Sequence, residues 1–152
     1  MIAFTPEILH SFDKSVLCWL ATASADGQPN VSPKEIFLPD GDRHVLIANI
    51  ASPQSVRNIR EHPSVCVSFV DIWVQKGYQL KGVAEILDHR HADYARCKEK
   101  LETLTGGNFP FHTLTRIEVL DIRPIIAPRY RLFPETTEAE QIASARRAYG
   151  VD

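Results

Sequence analysis

The segment Ser52-Pro53-Gln54-Ser55-Val56-Arg57-Asn58-Ile59-Arg60 has the residue types and spacing of an anion-binding helix start. Ser52 is a favoured N-cap and Pro53 suits the first helical position. A helix beginning there leaves backbone N–H groups and the positive end of its dipole available to a phosphate. Ser55, one turn after Ser52, adds a hydroxyl donor. Arg57 and Arg60, three apart, put two cations on one face. The same residues would also make a capped surface helix with solvated arginines, so the surrounding elements decide between the two.

Other reactive residue types give weaker patterns. His89 and His91 flank Arg90, with Asp88 and Asp93 nearby. That i, i+2 pair is a poor metal-ligand set and reads as a solvated loop, so no metal is expected. Cys18 and Cys66 fall in apolar stretches and Cys97 in an apolar helical stripe, the pattern of inert core thiols. Three cysteines at wide spacing make neither a disulfide framework nor a CxxC zinc site, and they suit a reducing, cytoplasmic setting. Trp19 and Trp73 read as packing in a core or a dimer interface, and Lys81 as a solvated lysine.

Composition narrows the function classes. The chain has 152 residues, 44% hydrophobic and 24% charged, with a net charge of −2. This length and balance suit a single domain over 1–152 with a full core. The lack of a basic field argues against a nucleic-acid partner. No apolar run is long enough to span a bilayer and no secretory leader is legible, so no membrane partner is expected.

Patterning then supplies the elements that must position the Ser52 segment. Thr5-Pro6-Glu7 predicts a helix start carrying Ile8, Leu9 and Phe12 on its apolar face. Strands are expected over 16–24, 29–38, 45–50, 65–74, 78–87 and 114–122. Asp26-Gly27 and Asp40-Gly41-Asp42 mark turns, Lys76-Gly77 a break, and Arg123-Pro124 the end of the last strand. Pro33 argues for an edge position or a bulge, and Gly82 for close approach of a backbone or ligand. Tyr94, Cys97, Leu101 and Leu104 predict an amphipathic helix stopped near Gly106. Thr137 and Glu140 predict a capping box opening a last helix with Ile142, Ala145 and Tyr149 on its stripe. Six short antiparallel strands are best buried by closure into a barrel, over about 14–126, with a helical extension over about 135–150. So small a barrel leaves room for a cofactor only on its outside or at a subunit interface.

Several of these segments together resemble the FMN-binding split-barrel family of pyridoxamine 5′-phosphate oxidase. They are Gly27-Gln28-Pro29 leading into a strand, Asp40-Gly41 leading into the strand that ends at Ala48-Asn49, the Ser55 helix and the Tyr78 strand. The resemblance covers roughly residues 10–125. It implies a mainly β, six-stranded antiparallel split barrel with flanking helices, which dimerises and holds FMN in clefts between two subunits. It also implies that Ser32, Pro33, Lys34 and Glu35 run along the flavin ring and ribityl chain, that Ala48 and Asn49 contact the flavin, and that Ser55, Arg57 and Asn58 belong to the phosphate end. The basic residues of the oxidase are replaced here by Ser32, Phe37, Gln54 and Ser55, which leaves Lys34, Arg57 and Arg60 as the available cations. The short run Arg129-Tyr130-Arg131-Leu132-Phe133-Pro134 bears a faint likeness to the ending that closes the oxidase's substrate pocket. The expected function is therefore that of an FMN-dependent oxidoreductase of the cytoplasm, acting on a small molecule other than pyridoxamine phosphate. The alternative is a non-catalytic flavin- or haem-binding split barrel.

Overall fold

The computed structural model describes residues 2–151. The chain opens with α1 (Pro6–Lys14), where Thr5 Oγ1 accepts the Ile8 N–H and Ile8 and Phe12 turn inward. β1 (Cys18–Ala23) and β2 (Pro29–Lys34) form a hairpin, followed by β3 (Phe37–Asp40) and β4 (His44–Ala48). α2 (Pro53–Glu61) leads to β5 (Ser64–Asp71) and β6 (Lys76–Leu87). α3 (Tyr94–Thr105), β7 (Leu114–Ile126), α4 (Pro128–Leu132) and α5 (Glu138–Tyr149) complete the chain.

Seven strands, one more than expected, form one antiparallel sheet in the order β2-β1-β5-β6-β7-β4-β3. The extra strand comes from the stretch over 29–38, which breaks at Glu35-Ile36. The break has a topological cause. β2 and β3 are the two edges of the sheet, yet only Glu35 and Ile36 separate them in the chain. Two extended residues span about 7 Å, whereas the edges of a flat seven-stranded sheet lie about 29 Å apart. The sheet must therefore curl until its edges nearly meet, which is the split barrel. At the seam the Ile36 carbonyl accepts the Ala48 N–H at 3.0 Å. Pro33 occupies an edge strand, where a missing donor is tolerated.

The barrel interior is filled by Leu20, Phe37, Val45, Ile47, Val67, Phe69, Leu80, Ile117 and Val119, with Phe12 of α1 closing one end. The Phe12 and Phe69 ring centroids are 4.4 Å apart. A second cluster, Leu46, Leu87, Cys97, Leu101, Phe111 and Leu114, lies under α3.

Several local expectations shift. The break assigned to Lys76-Gly77 lies one step earlier, in the 72–75 turn, where Gln75 takes φ +53°. Gly77 belongs to the ladder, and a Cβ there would overlap the Phe69 carbonyl. Gly82 serves the same need at the β6–β7 bulge, where a Cβ would overlap the Glu118 carbonyl, so the close neighbour is backbone. β7 continues through Pro124 to Ile126, because β4 pairs with it only as far as Glu118 and leaves that side open. Leu104 is exposed, and Thr105 takes its place on the buried side of α3. The Thr137–Glu140 capping box forms, but α5 buries Gln141 and Ala145 and leaves Tyr149 against Trp73.

Candidate functional site

α2 begins after a strained turn. Ala51 takes φ +50°, a left-handed conformation that costs a residue bearing a Cβ about 1 kcal/mol or more. Ser52 then occupies the N-cap position, but its hydroxyl does not cap the helix. Its Oγ is turned inward, buried, and without a hydrogen-bond partner among the described residues. An unsatisfied buried hydroxyl costs about 1–3 kcal/mol. Two local costs at one helix start, with the first turn left uncapped by a side chain, are typical of a binding site.

The remaining polar groups of α2 divide between two tasks. Arg57 and Arg60 are exposed, and neither pairs with a carboxylate among the described residues. Both line a cleft of about 690 Å³ together with Asn49, Ser52, His112 and Thr113. The inward-facing groups anchor the helix. Ser55 is buried, its Oγ 3.1 Å from Ser32 Oγ on β2. Asn58 is buried too, donating to Thr22 Oγ1 at 3.0 Å and accepting from Gln54 Nε2 at 2.8 Å. Gln54 in turn accepts from Arg57 Nη1 at 3.2 Å, so this chain of bonds ties the Arg57 guanidinium back to the barrel by one of its nitrogens.

Asn49 is similarly committed. Its Nδ2 donates to Thr113 Oγ1 at 3.1 Å and its Oδ1 accepts from Thr115 Oγ1 at 2.8 Å. Its side chain therefore holds the cleft wall to β7.

Pro33, Lys34, Glu35 and Ala48 meet in a second cleft of about 380 Å³, completed by Leu17, Ile36, Ile50 and Phe109. Ile50 lines both clefts, so the two are neighbours. Lys34 is the unusual member. Only 6% of it is exposed, and no carboxylate or hydrogen-bond acceptor meets its ammonium among the described residues. Desolvation holds its pKa below the ordinary lysine value. Cys18 is its cross-strand partner, and burial pushes that thiol up to about 12 despite the nearby lysine.

Sequence reasoning thus found the cations, the α2 start and the strand segment. It missed Phe109, His112 and Thr113, which come from the loop after α3 and carry no local signal. It also missed the orphaned Ser52 hydroxyl. Arg129 lies away from both clefts, in a shallow hollow with Phe133 and Glu140. The histidine loop is internally satisfied: Arg90 holds Asp88, and His91 Nδ1 accepts the Asp93 N–H at 3.1 Å. Trp19 and Trp73 are 48% and 37% exposed, which removes the core reading for both. Cys66 is only half-buried, because it points to the outer face of β5 across from Lys81.

With this geometry established, comparison with known proteins places the chain. The family profile for pyridoxamine 5′-phosphate oxidase matches residues 4–125. The chain belongs to the pyridoxamine 5′-phosphate oxidase-like FMN-binding split-barrel superfamily. An uncharacterized protein of Methanocaldococcus jannaschii is 30% identical over 104 residues, 67% of each chain. HupZ of Group A Streptococcus has a similar structure, with a TM-score of 0.70 and 26% identity over 82% of this chain and 95% of that one. HutZ, the heme storage protein from Vibrio cholerae, shares the fold with a TM-score of 0.61 and 18% identity, over 82% of this chain and 94% of its own. The superfamily contains both enzymes and non-catalytic binding proteins. Among the described residues, no helix is long and apolar enough to cross a membrane.

Proposed function

We propose that this split-barrel protein binds FMN across the two neighbouring clefts, and that holding the cofactor, not turnover of a pyridoxine vitamer, is its activity. The observation that carries this reading is the set of cations without carboxylate partners on walls that meet at Ile50: Arg57 and Arg60 in one cleft, Lys34 in the other. These groups fit a ligand with a dianionic phosphate at one end and a flat, partly polar ring at the other. Arg57 and the start of α2 take the phosphate. Pro33, Lys34, Glu35 and Ala48 wall the ring, while Ser32, Ser55, Asn49 and Asn58 hold those walls in place. Bound FMN would supply two-electron redox chemistry.

We further propose a homodimer. Val16, Trp19, Val31, Ile72 and Trp73 are exposed around β1, β2 and the β5–β6 turn, a large apolar surface for a lone chain. A partner seated there would cover the tryptophans and bring a second wall toward the ring. Positioning a phosphorylated vitamer over the flavin needs a second remote anion site. With Ser32, Phe37, Gln54 and Ser55 in place of the basic residues, and with Arg129 lining neither cleft, negligible pyridoxamine-phosphate oxidase activity is expected in a steady-state assay of FMN-saturated protein.

The absorbance spectrum of the purified protein tests the cofactor. Bands near about 375 and 450 nm are expected for flavin. A haem reading is second, supported by the likeness to HutZ and by His112, which shares its cleft with Arg57 and Arg60 and could offer an imidazole to iron and guanidinium groups to propionates. A Soret band would select it. Protein that stays colourless after incubation with either cofactor would reject both.

A further inference from the structure

We propose that Lys34 is a counter-charge for the ring of the bound cofactor, so that the protein holds reduced FMN more tightly than oxidised FMN. The inference rests on the FMN reading above and assigns its ring cleft a specific electrostatic task. Lys34 lies at the end of β2, where strand alternation turns its side chain inward. It lines the cleft with Leu17, Pro33, Glu35, Ile36, Ala48, Ile50 and Phe109, of which only Glu35 carries a charge. Glu35, its chain neighbour, is exposed, lines the same cleft and makes no ion pair with it. Arg57 and Arg60 line the other cleft, so they are the phosphate's cations and Lys34 is spare for the ring.

A largely desolvated ammonium without a counter-charge, still open to the cleft, favours a negative group brought to it. A ligand that becomes more negative there is favoured over one that stays neutral. Oxidised FMN has a neutral ring. Two electrons from a reductant such as dithionite and one proton from solvent leave the ring with one negative charge. A fixed cation in a water-poor cleft stabilises that product over the starting form. The lowered pKa of Lys34 agrees with a site that lacks its anion before ligand binds.

The experiment compares the parent protein with Lys34→Met and Lys34→Arg. Without cofactor, Lys34→Met should unfold at the same or a higher temperature, because an uncompensated charge has gone. Loss of stability would mean that the ammonium serves the fold, and would overturn the proposal. With FMN bound, Lys34→Met should bind reduced FMN about tenfold less well relative to oxidised FMN, a fall of about 30 mV in midpoint potential for a two-electron couple. Lys34→Arg should retain most of the parent potential. An unchanged potential in Lys34→Met overturns the inference while leaving FMN binding intact. The preference for FMN over riboflavin should survive in Lys34→Met, and its loss would make Lys34 a phosphate ligand and overturn the ring assignment. If the parent binds no FMN in a fluorescence titration, the FMN reading and this inference fall together.

Discussion

Ser32 on the edge strand and Ser55 on α2 face one another hydroxyl to hydroxyl, 3.1 Å apart, and so stitch the start of the cofactor helix to the rim of the barrel. Ser55 is 1% exposed, so its hydroxyl depends on this contact. Ser55→Ala is expected to cost about 1 kcal/mol of folding stability, the usual net value of one hydrogen bond. The double variant Ser32→Ala/Ser55→Ala should cost less than the two single changes added together. Urea unfolding of the four proteins checks this, and strict additivity would show that the pair is not coupled.

Arg57 extends from the same helix, one nitrogen of its guanidinium held by Gln54. Arg57→Ala is expected to weaken FMN binding by about 1.5 kcal/mol, the lower end for a hydrogen bond to a charged group, because the arginine is solvent-exposed. Riboflavin, which lacks the phosphate, should bind the variant and the parent alike. Fluorescence titrations at two salt concentrations measure both effects. Equal FMN affinity in the variant would move the phosphate to another site.

Asp40, the last residue of β3, ties α3 to the barrel. Arg96 grips both of its oxygens, at 2.9 and 3.1 Å, and Lys100 reaches Oδ1 at 2.6 Å. The Arg96 contact, followed by Lys100, outweighs the opposing effect of burial and holds the carboxyl at about 2, against 3.8 for a free aspartate. Because the folded-state value is the lower one, the stabilisation is complete above the unfolded pKa near 4. It fades as pH falls from about 4 toward 2. The half-exposed cations screen the interaction, so a contribution of about 1–2 kcal/mol is expected. Denaturant titrations at pH 7 and pH 3 should show Asp40→Asn less stable than the parent at pH 7, with the gap narrowing at pH 3. A gap that is constant with pH would rule out the ion pair as its cause.

The exposed tryptophans bear on assembly. A dimer burying about 2,000 Å² in total is expected across the Trp19 face. Trp19→Lys should shift the protein toward monomer in sedimentation at micromolar concentration and weaken FMN binding with it. A parent protein that sediments as a monomer would remove the second cofactor wall. A dimer indifferent to Trp19→Lys would place the interface elsewhere.

Local physics determined much of this protein from its sequence alone. Pro53 after Ser52 places the start of α2, the Thr137–Glu140 box starts α5, Gly106 stops α3 in a left-handed cap, and the Asp26-Gly27 and Asp40-Gly41 turns mark antiparallel neighbours. Each of these depends on residues within a few positions of one another, which is why it is legible in linear order. The family resemblance is legible for the same reason, since it is carried by turns and their spacing. Tertiary structure decided the rest. The run over 29–38 looks like one strand until the barrel's two edges must be joined at Glu35-Ile36. Ser52 looks like a cap until the Ala51 turn points its hydroxyl inward. The hydrogen-bond partners of Asn49 and Asn58, namely Thr113, Thr115 and Thr22, come from distant parts of the chain and have no local signal. Lys34 reads in the sequence as one of three cations available to the cofactor, but alternation says only that neighbouring side chains face opposite ways and not what each face meets. Only closure of the sheet brings Ala48, Ile50 and Phe109 around it and leaves its charge without a protein partner.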